Sequence, residues 1–214
     1  MRNVIILLSA FFISTSLLAQ EGKKQLVFTA TGLTEQAQKF LDREEYDKAI
    51  EFCDKALEAA SIYREAYIVK HKTYEAKGTS SAQKIENLKA AQKISLEDEE
   101  LAYYLGKIYQ KGSRFDDAIK EYSNAINYSV GDSEFRYFYF FSRGTCYTKK
   151  RKNEEAIADF TEALKIRPES TSALANRGFG YYNLKEKTKS CADWRKARDL
   201  GSNQVNTYIS QYCK

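Results

Sequence analysis

The residues of this 214-residue chain whose types lend themselves to chemistry are few: one histidine, four cysteines, some paired carboxylates and a short glycine run. His71 is the sole imidazole, and a general base needs an oriented partner within hydrogen-bond reach, which no motif supplies. Cys53, Cys146, Cys191 and Cys213 have no C-x-x-C spacing and no second histidine to complete a zinc site. Gly178-Phe179-Gly180 has the look of a phosphate loop, but it sits inside a helical pattern with no strand before it. Asp116-Asp117 and Glu154-Glu155 stand at expected helix starts, where carboxylates favour the helix dipole without any catalytic role. The expectation is a non-enzyme with no cofactor and no metal, so function has to be sought on the surface that the fold presents.

The elements that build that surface are read as helices. A single Pro in 214 residues leaves long stretches uninterrupted, and Lys, Glu and Ala are good helix formers, so the chain is expected to be all-α. The first residues stand apart. Arg2 precedes an apolar run, Val4 to Leu18, broken only by Ser9, Ser14, Thr15 and Ser16; Leu17 and Ala19 then occupy the −3 and −1 positions of a cleavage site. Residues 1–19 are therefore expected to be a signal peptide cleaved near Ala19-Gln20, in preference to an anchor, because the run is short and carries serines near its end. With no Cys before Cys53, no lipoprotein acylation is expected, and no later segment is apolar enough to span a bilayer. The mature chain is expected to be periplasmic or secreted and to have no transmembrane segment. Loss of Arg2 lowers the net charge from +5 to +4, too mild for a nucleic-acid partner.

After residues 20–32, expected as an N-terminal tail, small and aromatic residues recur every 34 or so positions. The clearest unit is Phe140, Gly144, Tyr147, Ala156, Phe160, Ala163 and Pro168. Leu174, Gly178, Tyr181, Ser190, Trp194 and Ala197 repeat it 34 residues later; Ala102, Gly106, Tyr109, Ala118, Tyr122 and Ala125 precede it by 38, the four extra residues falling at Gly131 to Glu134. Two weaker units run through Leu33, Ala37, Phe40, Ala49, Cys53 and Ala56, and through Tyr67, His71, Tyr74, Lys84, Leu88 and Ala91. Steps of three and four put these residues on one helix face, and a small residue lets an antiparallel helix approach that face. One such pair cannot bury its apolar surface, so pairs must stack.

The pattern resembles the tetratricopeptide repeat. The resemblance covers Gly32 to Leu200 and implies a right-handed α-solenoid of about five helix pairs over 33–200, in units of about 30–63, 64–98, 99–132, 137–170 and 171–201. Residues 202–214 are expected to form a C-terminal capping helix over the exposed end of the stack. The last stretch is similar to the closing segment of exported repeat proteins of Bacteroidota-type bacteria, which implies a Cys191–Cys213 disulfide suited to an oxidising compartment. Cys53 is read as a small buried hydrophobe.

In this family the first helices line a concave groove. The resemblance places Tyr103 and Lys107 (with Lys111), Phe138, Phe141 and Thr145 (with Thr148 and Lys149), and Phe179, Tyr182 and Asn183 there. Exposed aromatic anchors in a concavity are typical of binding hot spots, so a protein or peptide partner is expected. The alternatives are rings that only pack on one another, or a polysaccharide stacking on Tyr103, Phe141 and Tyr182. The family's carboxylate clamp is not matched, since Tyr103, Lys107, Ser142, Ser172 and Asn176 occupy its positions. The turns within the pairs form a basic edge with Lys111, Arg114, Lys149, Lys150, Arg151, Lys152 and Lys185, facing an acidic edge that includes Asp132 and Glu134. That edge is either ordinary solvated turn or a dock for an anionic envelope surface. The five consecutive aromatics Tyr137 to Phe141 have strand composition, yet the register makes them the start of a first helix. Tyr139 and Phe140 are expected in the stack, and Phe138 and Phe141 in the groove, where truncation to Ala would spare stability.

Overall fold

Helix-forming composition and a near absence of proline produce eleven helices, and no strand, among the described residues of the computed structural model. These residues are 2–131 and 133–214, with side chains described from Gln20 onward. The expected leader at 1–19 and Asp132 of the acidic edge lie outside the described side chains. Among the described residues no helix is long and apolar enough to cross a membrane. The chain divides into two bodies, Met1–Ser95 and Leu96–Lys214.

The N-terminal body contains α1 (Arg2–Asp42), α2 (Tyr46–Ala59), α3 (Arg64–Lys77) and α4 (Ser81–Gln92). Residues 20–32 are not a tail apart from the fold: they continue α1, and Ala30 is fully buried among Ala56, Ala60 and Ala66. Where the other units have Gly, this body has Ala37 and His71, and its ring positions hold Cys53 and Leu88; all four are buried. An added Cβ is thus matched by a smaller partner, as close packing requires. Lys84, in place of a repeat Ala, is buried with its ammonium paired to Glu75. Asn87 Nδ2 donates to the Tyr67 carbonyl at 2.9 Å, tying α4 to α3.

The C-terminal body contains α5 (Glu99–Lys111), α6 (Phe115–Tyr128), α7 (Phe135–Lys149), α8 (Asn153–Ile166), α9 (Thr171–Asn183), α10 (Lys187–Asp199) and α11 (Asn206–Tyr212). Each of its three helix pairs is built on one contact. Gly106 faces the ring of Tyr122, Gly144 that of Phe160 and Gly178 that of Trp194, and all three rings are fully buried. A Cβ on Gly178 would stand 2.5 Å from two indole atoms, and one on Gly106 would stand 2.6 Å from the tyrosine ring. The pair turns end alike, with Ser113, Arg151 and Lys185 in the left-handed region at φ 58°, 57° and 62°. Each is held by the next amide donating back five positions: Arg114 to Tyr109, Lys152 to Tyr147 and Glu186 to Tyr181. That is the Schellman arrangement, made here without glycine at the strained position.

Between helices runs a ladder of buried ion pairs. Arg143 donates to both Asp159 carboxylate oxygens, at 2.9 and 2.7 Å, and its remaining nitrogen donates to the Ser123 hydroxyl at 3.0 Å. One repeat later Arg177 donates to both oxygens of Asp193 at 2.8 Å and to Thr161 at 3.2 Å. Each guanidinium thereby ties a first helix to its own second helix and to the second helix of the preceding pair. Burial works against the Arg143 charge, but the bonds to Asp159 outweigh it and hold the guanidinium above its ordinary range.

The C-terminal closure is covalent. A disulfide joins Cys191 of α10 to Cys213 just past α11, and Arg195 donates to the Cys213 carbonyl at 2.6 Å. Val205, at the start of α11, is fully buried in the core with Trp194 and Leu174.

Two stability changes follow from these contacts. Gly178→Ala is expected to lower stability by ~1–3 kcal/mol through overpacking, despite the higher helix propensity of Ala. Gly32→Ala on α1, where an added Cβ meets nothing within 4 Å, is expected to raise it by roughly 0.5–1 kcal/mol. Urea unfolding of both variants is the measurement, and the same sign at the two sites would refute the close-approach argument. In the same assay, Arg143→Ala is expected to cost ~3–5 kcal/mol because it strands a buried carboxylate. Loss of the exposed Lys165–Glu162 pair should cost no more than ~1 kcal/mol.

Candidate binding face

First helices meet one another in the C-terminal body: α7 touches both α5 and α9. Their shared face carries the residues expected to bind a partner, and most are fixed by neighbours. Tyr103 of α5 is half-buried against Tyr139, Tyr122 and Tyr104, with ring centroids 5.2, 6.0 and 6.0 Å away. Burial pushes its phenol upward against a lowering hydrogen bond to Ser142. Lys107 is exposed, its ammonium 5.6 Å above the Tyr103 ring, near enough for a cation–π attraction.

On α7 the five-ring run divides as its helical phase dictates. Tyr137, Tyr139 and Phe140 are buried. Phe138 and Phe141 are half-buried, not free in a groove. Phe141 stacks on Tyr137 at 5.7 Å, with 18° between the ring planes, and leans on Phe160 of α8. Phe138 sits edge-on to Tyr137, with the Arg167 guanidinium 4.6 Å over its ring. The expectation is that both could be truncated without loss; these contacts argue instead for a cost, since neither ring stands clear of Tyr137, Phe160 or Arg167. Thr145 donates its hydroxyl to the Phe141 carbonyl at 2.8 Å, inside its own helix.

At the far end the arrangement differs again. Phe179 lies edge-on to Tyr208 of α11, with centroids 4.7 Å apart, and tilts on Trp194 at 5.2 Å. Tyr182 tilts on Trp194 and on Tyr212 of α11 at 5.7 and 4.8 Å. These two expected groove residues are thus the seat of the capping helix. Asn183 donates to Asn153 Oδ1 at 3.1 Å.

The basic edge is partly neutralised. Arg114 pairs with Asp117 at 2.7 Å, Lys150 with Asp116, and Lys152 with Glu155 at 3.7 Å. Lys111, Lys149, Arg151 and Lys185 are exposed. Cys53 and Cys146 are buried free thiols, and burial pushes both up to about 12, where no thiolate forms near neutral pH. Among the described residues no group of three or more His, Cys, Asp or Glu side chains could hold a metal ion.

The Arg–Asp ladder escaped the sequence reading although it leaves a trace there. Arg143-Gly144 with Asp159-Phe160 recurs as Arg177-Gly178 with Asp193-Trp194, at the 34-residue displacement. The charged residues immediately precede the repeat-defining ones and so pass for solvated positions.

With this geometry in hand, the comparisons with known proteins are consistent. The family model of the tetratricopeptide repeat matches residues 137–170. The Hsp70-Hsp90 organizing protein of Triticum aestivum is 24% identical over 194 residues, covering 74% of this chain and 33% of the relative. The Homo sapiens mitochondrial import receptor subunit TOM70 is 26% identical over 153 residues, covering 68% of this chain and 24% of the relative. The chain therefore spans a third or less of the length of these relatives. Among solved structures, MamA superposes with a TM-score of 0.71 at 21% identity, over 86% of this chain and 95% of that one. YrrB, described as a TPR protein with an unusual peptide-binding site, superposes with a TM-score of 0.70 at 22% identity, over 84% and 90%. At these identities the likeness shows the fold.

Phe141→Ala is expected to lower stability by about 2 kcal/mol, below the ~3–5 kcal/mol of a fully buried Phe. Lys107→Ala is expected to stay within ~0.5 kcal/mol of the parent. Calorimetric melting of both variants checks this, and an unchanged midpoint for Phe141→Ala would restore it to the free surface.

Proposed function

We propose that this chain, which carries the tetratricopeptide repeat, is a non-enzymatic scaffold that holds a peptide or protein partner on the first-helix face of α5, α7 and α9. The observation that carries the reading is the line of half-buried rings, Tyr103, Phe138 and Phe141, beside the exposed Lys107. Rings already locked by their neighbours lose little entropy on binding, and a partly exposed aromatic edge next to a cation suits a peptide. Protein binding is also in keeping with the relatives, among which are an organizing protein, an import receptor and a protein with a peptide-binding site. The Cys191–Cys213 disulfide fits the proposed exported location, periplasmic or secreted, since such bonds persist in oxidising compartments.

The test is site-directed photo-cross-linking in the producing cell. A photo-reactive phenylalanine analogue at Lys107 or Lys149, on first helices, is expected to yield a discrete adduct. The same analogue at Lys120 or Lys165, exposed on second helices, is expected to yield none. Equal labelling from both faces, or none from the first helices, would overturn the assignment.

A further inference from the structure

A cavity of about 520 Å³ opens where the α9–α10 turn meets α11, lined by Tyr182, Asn183, Lys185, Lys187, Gln211 and Tyr212. Three features bear on what it could hold. First, neither Lys185 nor Lys187 has a carboxylate within 4 Å among the described residues; Glu186, which stands between them, is paired with Lys189. Second, α6 and α8 begin with carboxylates in their first turns, Asp116, Asp117, Glu154 and Glu155, while α10 has none and begins with Lys187. A cation there adds to the positive end of the helix dipole where α6 and α8 offset it. Third, the backbone under Lys185 is fixed: its left-handed conformation is held by its own amide donating to Tyr182 and by that of Glu186 donating to Tyr181, both at 2.9 Å. Two ammonium groups without an ion-pair partner are thereby held on a rigid frame, the one carboxylate between them, Glu186, being engaged by Lys189. The remaining lining consists of two amide side chains and two tyrosine rings, each exposed by more than a third.

We propose that this cavity binds an acidic peptide segment. Carboxylates of the segment sit on Lys185 and Lys187, its backbone meets the amides of Asn183 and Gln211, and an apolar side chain lies against Tyr182 and Tyr212. A bare anion would use the lysines alone; the amides and rings between them match the alternating polar and apolar groups of an extended peptide. The assignment rests on the scaffold reading above and adds the chemistry of the partner and the end of the stack at which it is gripped. Two walls come from different elements, α9–α10 and α11, and the Cys191–Cys213 bond holds them together.

The experiment is fluorescence anisotropy of the full mature chain with a fluorescein-labelled octapeptide of alternating Glu and Leu, and with the same peptide carrying Gln for Glu. The Glu peptide should bind at low salt and weaken as salt rises, and the Gln peptide should bind more weakly. Lys185→Gln and Lys187→Gln should each weaken the Glu peptide by up to about fivefold, and the double variant by more, as expected for exposed ion pairs. Lys120→Gln, outside the cavity, should change nothing. Equal affinity for the two peptides, or a double variant that binds like the parent, would overturn the proposal. So would lysine-dependent binding of tetragalacturonate without binding of the Glu peptide, which would make this an acidic-sugar site. If the double variant leaves peptide affinity untouched while cross-linking at Lys107 persists, the cavity assignment fails and the scaffold reading stands.

Discussion

The contact on which the C-terminal body depends is that of a glycine with a fully buried ring. A helix interior that lacks a Cβ loses about 1 kcal/mol of intrinsic stability, and at Gly106, Gly144 and Gly178 that loss is what allows Tyr122, Phe160 and Trp194 to lie directly on the backbone of the opposing helix. Once the two helices of a pair stand that close, the rest of the register is constrained. The buried alanines at 118, 125, 156, 163 and 197 are the residues small enough for the remaining approaches. The ion-pair ladder follows from the same geometry, because only helices in this register bring Arg143 to Asp159 and Arg177 to Asp193.

The ladder specifies as well as stabilises. A hydrophobic core tolerates sliding, but a bidentate guanidinium–carboxylate pair with a third bond to a neighbouring helix does not. Arg143 reaches Ser123, and Arg177 reaches Thr161, in each case on the second helix of the preceding pair. The N-terminal body has a simpler version: Lys70 of α3 reaches Asp54 of α2 at 2.5 Å, with no bidentate geometry. This body also replaces the glycine–ring contact of its first pair with Ala37 and Cys53, both buried.

The repeat architecture was legible because it rests on residue size at fixed spacing, which a single chain displays. The 34-residue displacement of Gly144, Phe160 and Ala163 onto Gly178, Trp194 and Ala197 places both helices of each pair. The position of the aromatic side chains was legible only in part. Helical phase assigns Tyr139 and Phe140 inward correctly, but the exposure of Phe138 and Phe141 depends on Tyr137 of their own helix and on what α8 and its end present, namely Phe160 and Arg167. Charge was legible least. The basic turns were visible as composition, while the pairing of Lys150 with Asp116 joins residues 34 positions apart that only the stacked repeats bring together. The left-handed residues Ser113, Arg151 and Lys185 carry no compositional sign at all, since their turns are imposed by the helices on either side.

The end of the stack shows what a pair's open face requires. Phe179, Tyr182 and Trp194 would be left as a bare aromatic surface if α10 ended the chain, and such a surface invites association. Seven residues of α11 cover it with Tyr208 and Tyr212, which lie four apart and so fall on one helical face. A helix that short is marginal by itself, and its hold on the stack comes instead from buried Val205 and the disulfide at Cys213. The cap therefore closes the apolar part of the terminal face and leaves its charged rim, Lys185 and Lys187, to solvent. Tyr182 and Tyr212 keep an exposed edge beside these ammonium groups, so the cover over the rings is partial.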